Sequence, residues 1–137
     1  MARPTHFEIP VEDADRAEKF YGELFGWTFQ RYPGAPSYYG MTTTGPDTET
    51  PGINGALFQR SPENNQVTLT MNVDSIDETS AKAQSLGARV VQEKAPIPSM
   101  GYFAVLVDTE GNRFGLFTND PTATMPEGAE SPAGVST

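Results

Sequence analysis

Residues 6–26, HFEIPVEDADRAEKFYGELFG, and residues 68–87, TLTMNVDSIDETSAKAQSLG, carry the same physical signals in the same order. Each begins with a short strand of alternating side chains, passes an N-capping residue, and enters a helix that stops at glycine. In the first copy Phe7 and Ile9 fall on one strand face, with His6 and Glu8 on the other. Asp13 is the cap, and Ala17, Phe20, Tyr21, Leu24 and Phe25 form an apolar helical stripe before Gly26. In the second copy Val67 to Val73 is the strand, and Ser75-Ile76-Asp77-Glu78 is a capping box. Ile76, Ala83 and Leu86 form its buried stripe, and Gly87 ends the helix. His6 and Thr68, Val11 and Val73, Asp13 and Ser75, and Asp15 and Asp77 are each 62 residues apart; Gly26 and Gly87 differ by 61. A constant offset through strand, cap and helix predicts an internal repeat.

Three strands follow each helix. Trp27 to Arg31 and Ser37 to Thr43 flank the turn-rich Tyr32-Pro33-Gly34-Ala35-Pro36, and Ile53 to Arg60 closes the first set. Ala88 to Gln92, Tyr102 to Asp108 and Arg113 to Thr118 form the second set, with Asp108-Thr109-Glu110-Gly111-Asn112 as a hairpin signal. The expected fold is therefore α+β, two tandem βαβββ modules (1–62 and 63–120) within one domain, residues 1–120. Pro96-Ile97-Pro98-Ser99-Met100-Gly101 reads as a stiff loop, a lid or a simple connector. Residues 121–137 are rich in Pro, Gly, Ala, Ser and Thr without periodicity, and are expected to be a flexible tail outside the core.

Composition removes several function classes. The 137 residues hold no cysteine, which excludes disulfides, thiolate metal sites and cysteine nucleophiles. The one histidine, His6, excludes any multi-histidine metal site. Eighteen acidic against nine basic residues give a formal charge of −9, the wrong sign for nucleic acid or an anionic membrane surface. No run approaches the roughly 20 apolar residues of a membrane span, and the amino terminus enters a strand without an apolar leader. The expected setting is soluble and cytoplasmic.

Three segments together resemble the vicinal oxygen chelate superfamily, the glyoxalase, bleomycin-resistance and dioxygenase group. They are His6-Phe7-Glu8-Ile9-Pro10-Val11 with Lys19-Phe20-Tyr21 and Leu24-Phe25-Gly26-Trp27; Val73-Asp74-Ser75-Ile76-Asp77; and Asp108-Thr109-Glu110-Gly111-Asn112-Arg113-Phe114. The likeness spans residues 5–118. It implies a cup-shaped mixed sheet with the helices outside, and a small-molecule ligand inside the cup. It also implies four metal-ligand positions, which fall here at His6, Ala56, Thr68 and Gly115. Alanine and glycine side chains supply no donor and a threonine hydroxyl is a poor one, so the expected metal set is erased and no cofactor is expected. His6 and Glu8 read as a hydrogen-bonded pair rather than as a replacement metal site.

What remains is a pocket. His6, Glu8, Asn54, Thr68 and Thr70 are expected to line it, with Tyr102 and Phe103 stacking on a ligand, and with Tyr38, Tyr39 and Met100 at the rim. The leading expectation is a glyoxalase/bleomycin-resistance-like protein that binds a small organic molecule without a metal. The alternatives are a metal-independent isomerase or lyase with Glu8 or His6 as the general base, a metal-dependent lyase or dioxygenase, and a dimerisation scaffold with no ligand. A homodimer is expected, because such folds leave sheet edges and apolar residues to be covered.

Overall fold

In the computed structural model, residues 1–33, 35 and 37–124 are described. They form eight strands and two helices in the order expected of two βαβββ modules, and the architecture is α+β. They divide into two compact units: His6–Val67 is one, and Thr68 onward with residues 1–5 is the other. No described helix is long and apolar enough to cross a membrane.

The first module contains β1 (Arg3–Val11), α1 (Ala14–Phe25), β2 (Thr28–Arg31), β3 (Tyr39–Thr43) and β4 (Asn54–Gln59). Its strands lie in the order β2-β3-β4-β1. β1 runs parallel to β4, placing His6 opposite Asn54, Phe7 opposite Gly55 and Glu8 opposite Ala56. β3 runs antiparallel to β4, with Met41 opposite Ala56 and Tyr39 opposite Phe58. Successive strand side chains alternate between faces, so His6, Glu8, Asn54, Ala56, Met41 and Tyr39 share one face of this sheet.

The other face carries α1. Asp13 caps the helix by accepting from the Arg16 N–H at 3.0 Å, and Gly26 closes it in the left-handed region at φ 76°. Trp27 anchors the packing: its ring lies 5.6 Å from Phe7, 5.2 Å from Tyr21 and 5.2 Å from Phe25. Phe20 and Leu24 of the apolar stripe are 57% and 58% exposed, and α1 buries none of its residues. Trp27, just past the helix, draws Tyr21 towards the sheet, and the Phe20–Leu24 side of the stripe is left facing outward.

The second module contains β5 (Thr68–Asn72), α2 (Ile76–Ser85), β6 (Arg89–Ile97), β7 (Gly101–Val107) and β8 (Arg113–Asn119), with strand order β5-β8-β7-β6. Ser75 caps α2 by accepting from the Glu78 N–H, as the capping box requires. The core is Ile76, Ala104, Leu106 and Leu116, with Ala83 packed against it. Leu86 departs from expectation at 67% exposure: it is the residue that caps α2, with φ −96° and ψ 3°, and has left the helical stripe. The internal repeat extends to register, because Thr70 stands opposite Gly115 as Glu8 stands opposite Ala56.

The segment 96–101 is a pinned hairpin rather than a lid. β6 continues through it, pairing Pro96 with Tyr102 and Ile97 with Gly101. The turn is held by the Met100 N–H on the Ile97 carbonyl, the Ser99 N–H on the Ala123 carbonyl and the Asp120 N–H on the Met100 carbonyl. Ala123 is 1% exposed, so packing continues past the expected tail boundary at 121. The rest of that tail, from 125, lies outside the described residues, as do Gly34 and Pro36 of the expected turn.

Gly55 makes the close approach of β1 to β4 possible. A Cβ there would stand 2.3 Å from the Phe7 carbonyl oxygen and 2.5 Å from its ring. Gly55→Ala should therefore destabilise the protein by about 1–3 kcal/mol, the usual cost of overpacking, read as a lowered urea midpoint. An unchanged midpoint would contradict this register.

Candidate functional site

The polar face of the first module is built by alternation along β1, which turns His6 and Glu8 away from α1 while Phe7 meets Trp27. Tyr39 reaches the same place from β3, two strands away. Its hydroxyl donates to Glu8 Oε2 at 2.9 Å and lies 3.3 Å from His6 Nε2. His6 Nε2 and Glu8 Oε2 are 3.9 Å apart, too far for a direct hydrogen bond, so Tyr39 joins them. Ala56 explains the reach: it stands between Glu8 and Met41 in the strand register, and its methyl leaves the path above β4 open.

Burial raises the Tyr39 pKa well above that of an ordinary phenol, and the neighbouring Glu8 carboxylate raises it further by charge and by accepting its proton. The phenol is thus a proton donor throughout the neutral range. The His6 and Glu8 side chains keep 35% and 27% of their surface, so a ligand can reach them.

Tyr38 does the mirror task on the helix face. Its hydroxyl donates to Glu18 at 2.6 Å, and Arg31 lies over its ring at 5.2 Å while bonding both Glu18 and Asp15. Burial first, and then Glu18, raises the Tyr38 pKa. Both tyrosines were expected at a rim. Consecutive positions, Tyr38 just before β3 and Tyr39 at its start, instead point to opposite faces, each to its own glutamate.

The other expected residues divide. Asn54 lies opposite His6, but its Oδ1 accepts from the Thr44 N–H at 2.9 Å and so secures the loop after β3. In the second module Thr68 is buried and Thr70 partly so. Thr70 sits against Gly115, where a Cβ would come within 2.6 Å of its hydroxyl. Phe103 faces away from the α2 core, opposite Phe117. Tyr102 does not share that face: it packs against the α2-side core, with the Lys94 ammonium 4.9 Å from its ring centre. Residues 102 and 103 are neighbours in β7, so one of them had to turn towards the helix. Tyr39, expected only at the rim, joins His6 and Glu8 because the β3–β4 register sets it on their face.

The residues do not fit a four-ligand metal set. Glu8 is already engaged by Tyr39, Ala56 offers no donor, and no group of three or more His, Cys, Asp or Glu among the described residues could hold a metal ion. A separate open groove of about 340 Å³ lies between the end of β1 and the start of α1, lined by Pro10, Val11, Arg16, Phe20 and Arg60 among others, and does not include His6 or Glu8.

Comparison with known proteins places these features in a family. A model of a glyoxalase-like domain matches residues 6–117. The Mycobacterium bovis protein CFP32, named as a glyoxylase, is 32% identical over 114 residues, covering 83% of this chain and 43% of that protein. The chain therefore spans less than half the length of that relative. A glyoxylase-like domain-containing protein of Didymella fabae is 28% identical over 114 residues, covering 81% of this chain and 89% of its own. The crystal structure of methylmalonyl-CoA epimerase from Mycobacterium tuberculosis matches with a TM-score of 0.66 at 16% identity, over 86% of this chain and 88% of that one. At that identity the likeness carries the fold alone.

The raised tyrosines have a consequence for alkaline stability. Above pH ~10 an unfolded tyrosine loses its proton, whereas Tyr39 in the folded chain keeps it. The unfolded state then binds fewer protons, so stability falls with rising pH from about 10 up to the folded-state value. Tyr39→Phe should flatten that fall, measured as urea unfolding against pH, because phenylalanine has no proton to lose. An equally steep fall in the variant would show that Tyr39 is not held as described.

Proposed function

The chain belongs to the glyoxalase-like domain family, within the vicinal oxygen chelate superfamily, and from that premise we propose that it binds a small organic molecule on the polar face of its first module, without a metal. The observation that carries this reading is the convergence of His6, Glu8 and Tyr39 on the face opposite α1, with the His6 and Glu8 side chains still partly exposed. A few convergent polar groups are what fix a ligand's orientation in a small-molecule site. Thr68, Thr70 and Phe103 are given the same role on the helix-free face of the second module. The absence of cysteine accords with a reducing, cytoplasmic setting.

A second reading has one specific observation in its favour. Glu8 holds a phenol donor on one oxygen and is 27% exposed, which is the arrangement of a carboxylate that could take a proton from a bound carbon acid. The two readings differ in what Glu8→Gln does. For a binder, this change should weaken affinity by about 1–3 kcal/mol through an altered hydrogen bond. For an isomerase or lyase it should abolish turnover while leaving binding nearly intact. The measurement is a melting-shift screen of compounds, followed by titration of each hit against wild type, His6→Ala and Glu8→Gln. Hits that bind all three equally would remove the site from this face.

We further propose that the protein is a homodimer. Phe20, Leu24 and Phe25 of α1 are all more than half exposed, an apolar surface that a symmetric partner would cover. Light scattering should give twice the chain mass, and Phe20→Asp with Leu24→Asp should give the monomer. A monomeric wild type at micromolar concentration would contradict this.

A further inference from the structure

The three side chains on the polar face share a limited number of protons, and their distances decide where those protons sit. The Tyr39 hydroxyl has one. Glu8 Oε2, at 2.9 Å, is the nearer and charged acceptor, and His6 Nε2 lies at 3.3 Å. If the proton went to the imidazole, a phenol lone pair would face the carboxylate at 2.9 Å, which is repulsive. The proton therefore goes to Glu8, and the Tyr39 oxygen is left to accept from His6. That requires a proton on Nε2. The order of donation is His6 Nε2–H to Tyr39 Oη–H to Glu8 Oε2.

We propose that Tyr39 is the positioning residue that sets the polarity of this face, so that it selects ligands bearing hydrogen-bond donors, and cationic amines or amidines above carboxylates. In the neutral imidazole, a proton on Nε2 leaves Nδ1 as an acceptor. Glu8 retains its second oxygen, also an acceptor. With both of Tyr39's hydrogen bonds spent on its neighbours, a ligand meets two acceptors and a negative charge. The inference rests on the small-molecule reading above and names the chemical class of its ligand. The formal charge of −9 on the whole chain adds a long-range bias of the same sign.

His6 is the only histidine, so one imidazole spectrum reports on this site alone. The test is long-range proton–nitrogen NMR of the full chain, labelled at histidine, at pH 8. The expected wild-type result is a proton on Nε2, protected from exchange, with Nδ1 unprotonated. In Tyr39→Phe that protection should be lost, while the amide spectrum shows the fold intact. A proton on Nδ1 in wild type, or unchanged protection in the variant, would overturn the assignment. Benzamidine and benzoate, which share a ring but differ in polarity, are then titrated while following His6 Nδ1. Benzamidine should bind at least about tenfold more tightly, the scale of one charge-assisted hydrogen bond, and Glu8→Gln should erase that preference. Equal or tighter binding of benzoate at His6 would overturn the polarity while leaving a small-molecule site standing. If neither probe moves His6, both the polarity and the reading beneath it fail.

Discussion

β1 lies parallel to β4 with Glu8 opposite Ala56 and Phe7 opposite Gly55, and the first module depends on that register. Side chains in a strand alternate with a period of two, so a slip of one residue would move His6 and Glu8 against α1 and turn Phe7 away from Trp27. Two small residues fix the alignment from opposite sides. Gly55 admits the Phe7 carbonyl and ring, which a Cβ would meet at 2.3 and 2.5 Å. Ala56, fully buried, leaves the space across which Tyr39 reaches Glu8. The position where the superfamily resemblance places a metal ligand thus holds the residue that makes room for a phenol.

The module uses the same physical device on both of its faces. Tyr38 and Tyr39 are consecutive, point in opposite directions, and each donates its hydroxyl proton to a glutamate. A hydrogen bond to a charged group contributes about 1.5–3 kcal/mol, and leaving a partly desolvated carboxylate without one costs more than the bond contributes. On the helix face Arg31 supplies two further contacts and ties Glu18 to Asp15. On the polar face, among the described residues, no arginine is bonded to Glu8, which is joined to a phenol and, through it, to an imidazole. The helix-side cluster sets its charge against an arginine, whereas Glu8 on the polar face keeps its charge beside a phenol and an imidazole.

The repeat was legible because it rests on local signals. Caps at Asp13 and Ser75, stop glycines, and alternation in the strands are all decided within a few residues of sequence, and the 62-residue offset joins them. His6 and Glu8 were legible for the same reason, since their shared face follows from spacing alone. Tyr39 was not, because its partners lie 31 and 33 residues away and its direction depends on the β3–β4 register. Tyr102 was placed on the wrong side because strand β7 gives no polar–apolar alternation: Gly101 to Val107 is apolar or aromatic throughout, and only α2 decides which face is core. The α1 stripe was legible as amphipathic but not as exposed. Periodicity shows that an apolar face exists, and packing decides what covers it.

The central claim is that the helix-free face of the first module is where this chain meets its ligand. A crystal structure of the protein, soaked with the strongest compound from an unbiased screen, tests it most directly. The account predicts density for that compound against His6 and the free oxygen of Glu8, with the Tyr39 hydroxyl still on Oε2. Density instead in the groove of Pro10, Val11, Arg16, Phe20 and Arg60, with His6 and Glu8 untouched, would contradict it.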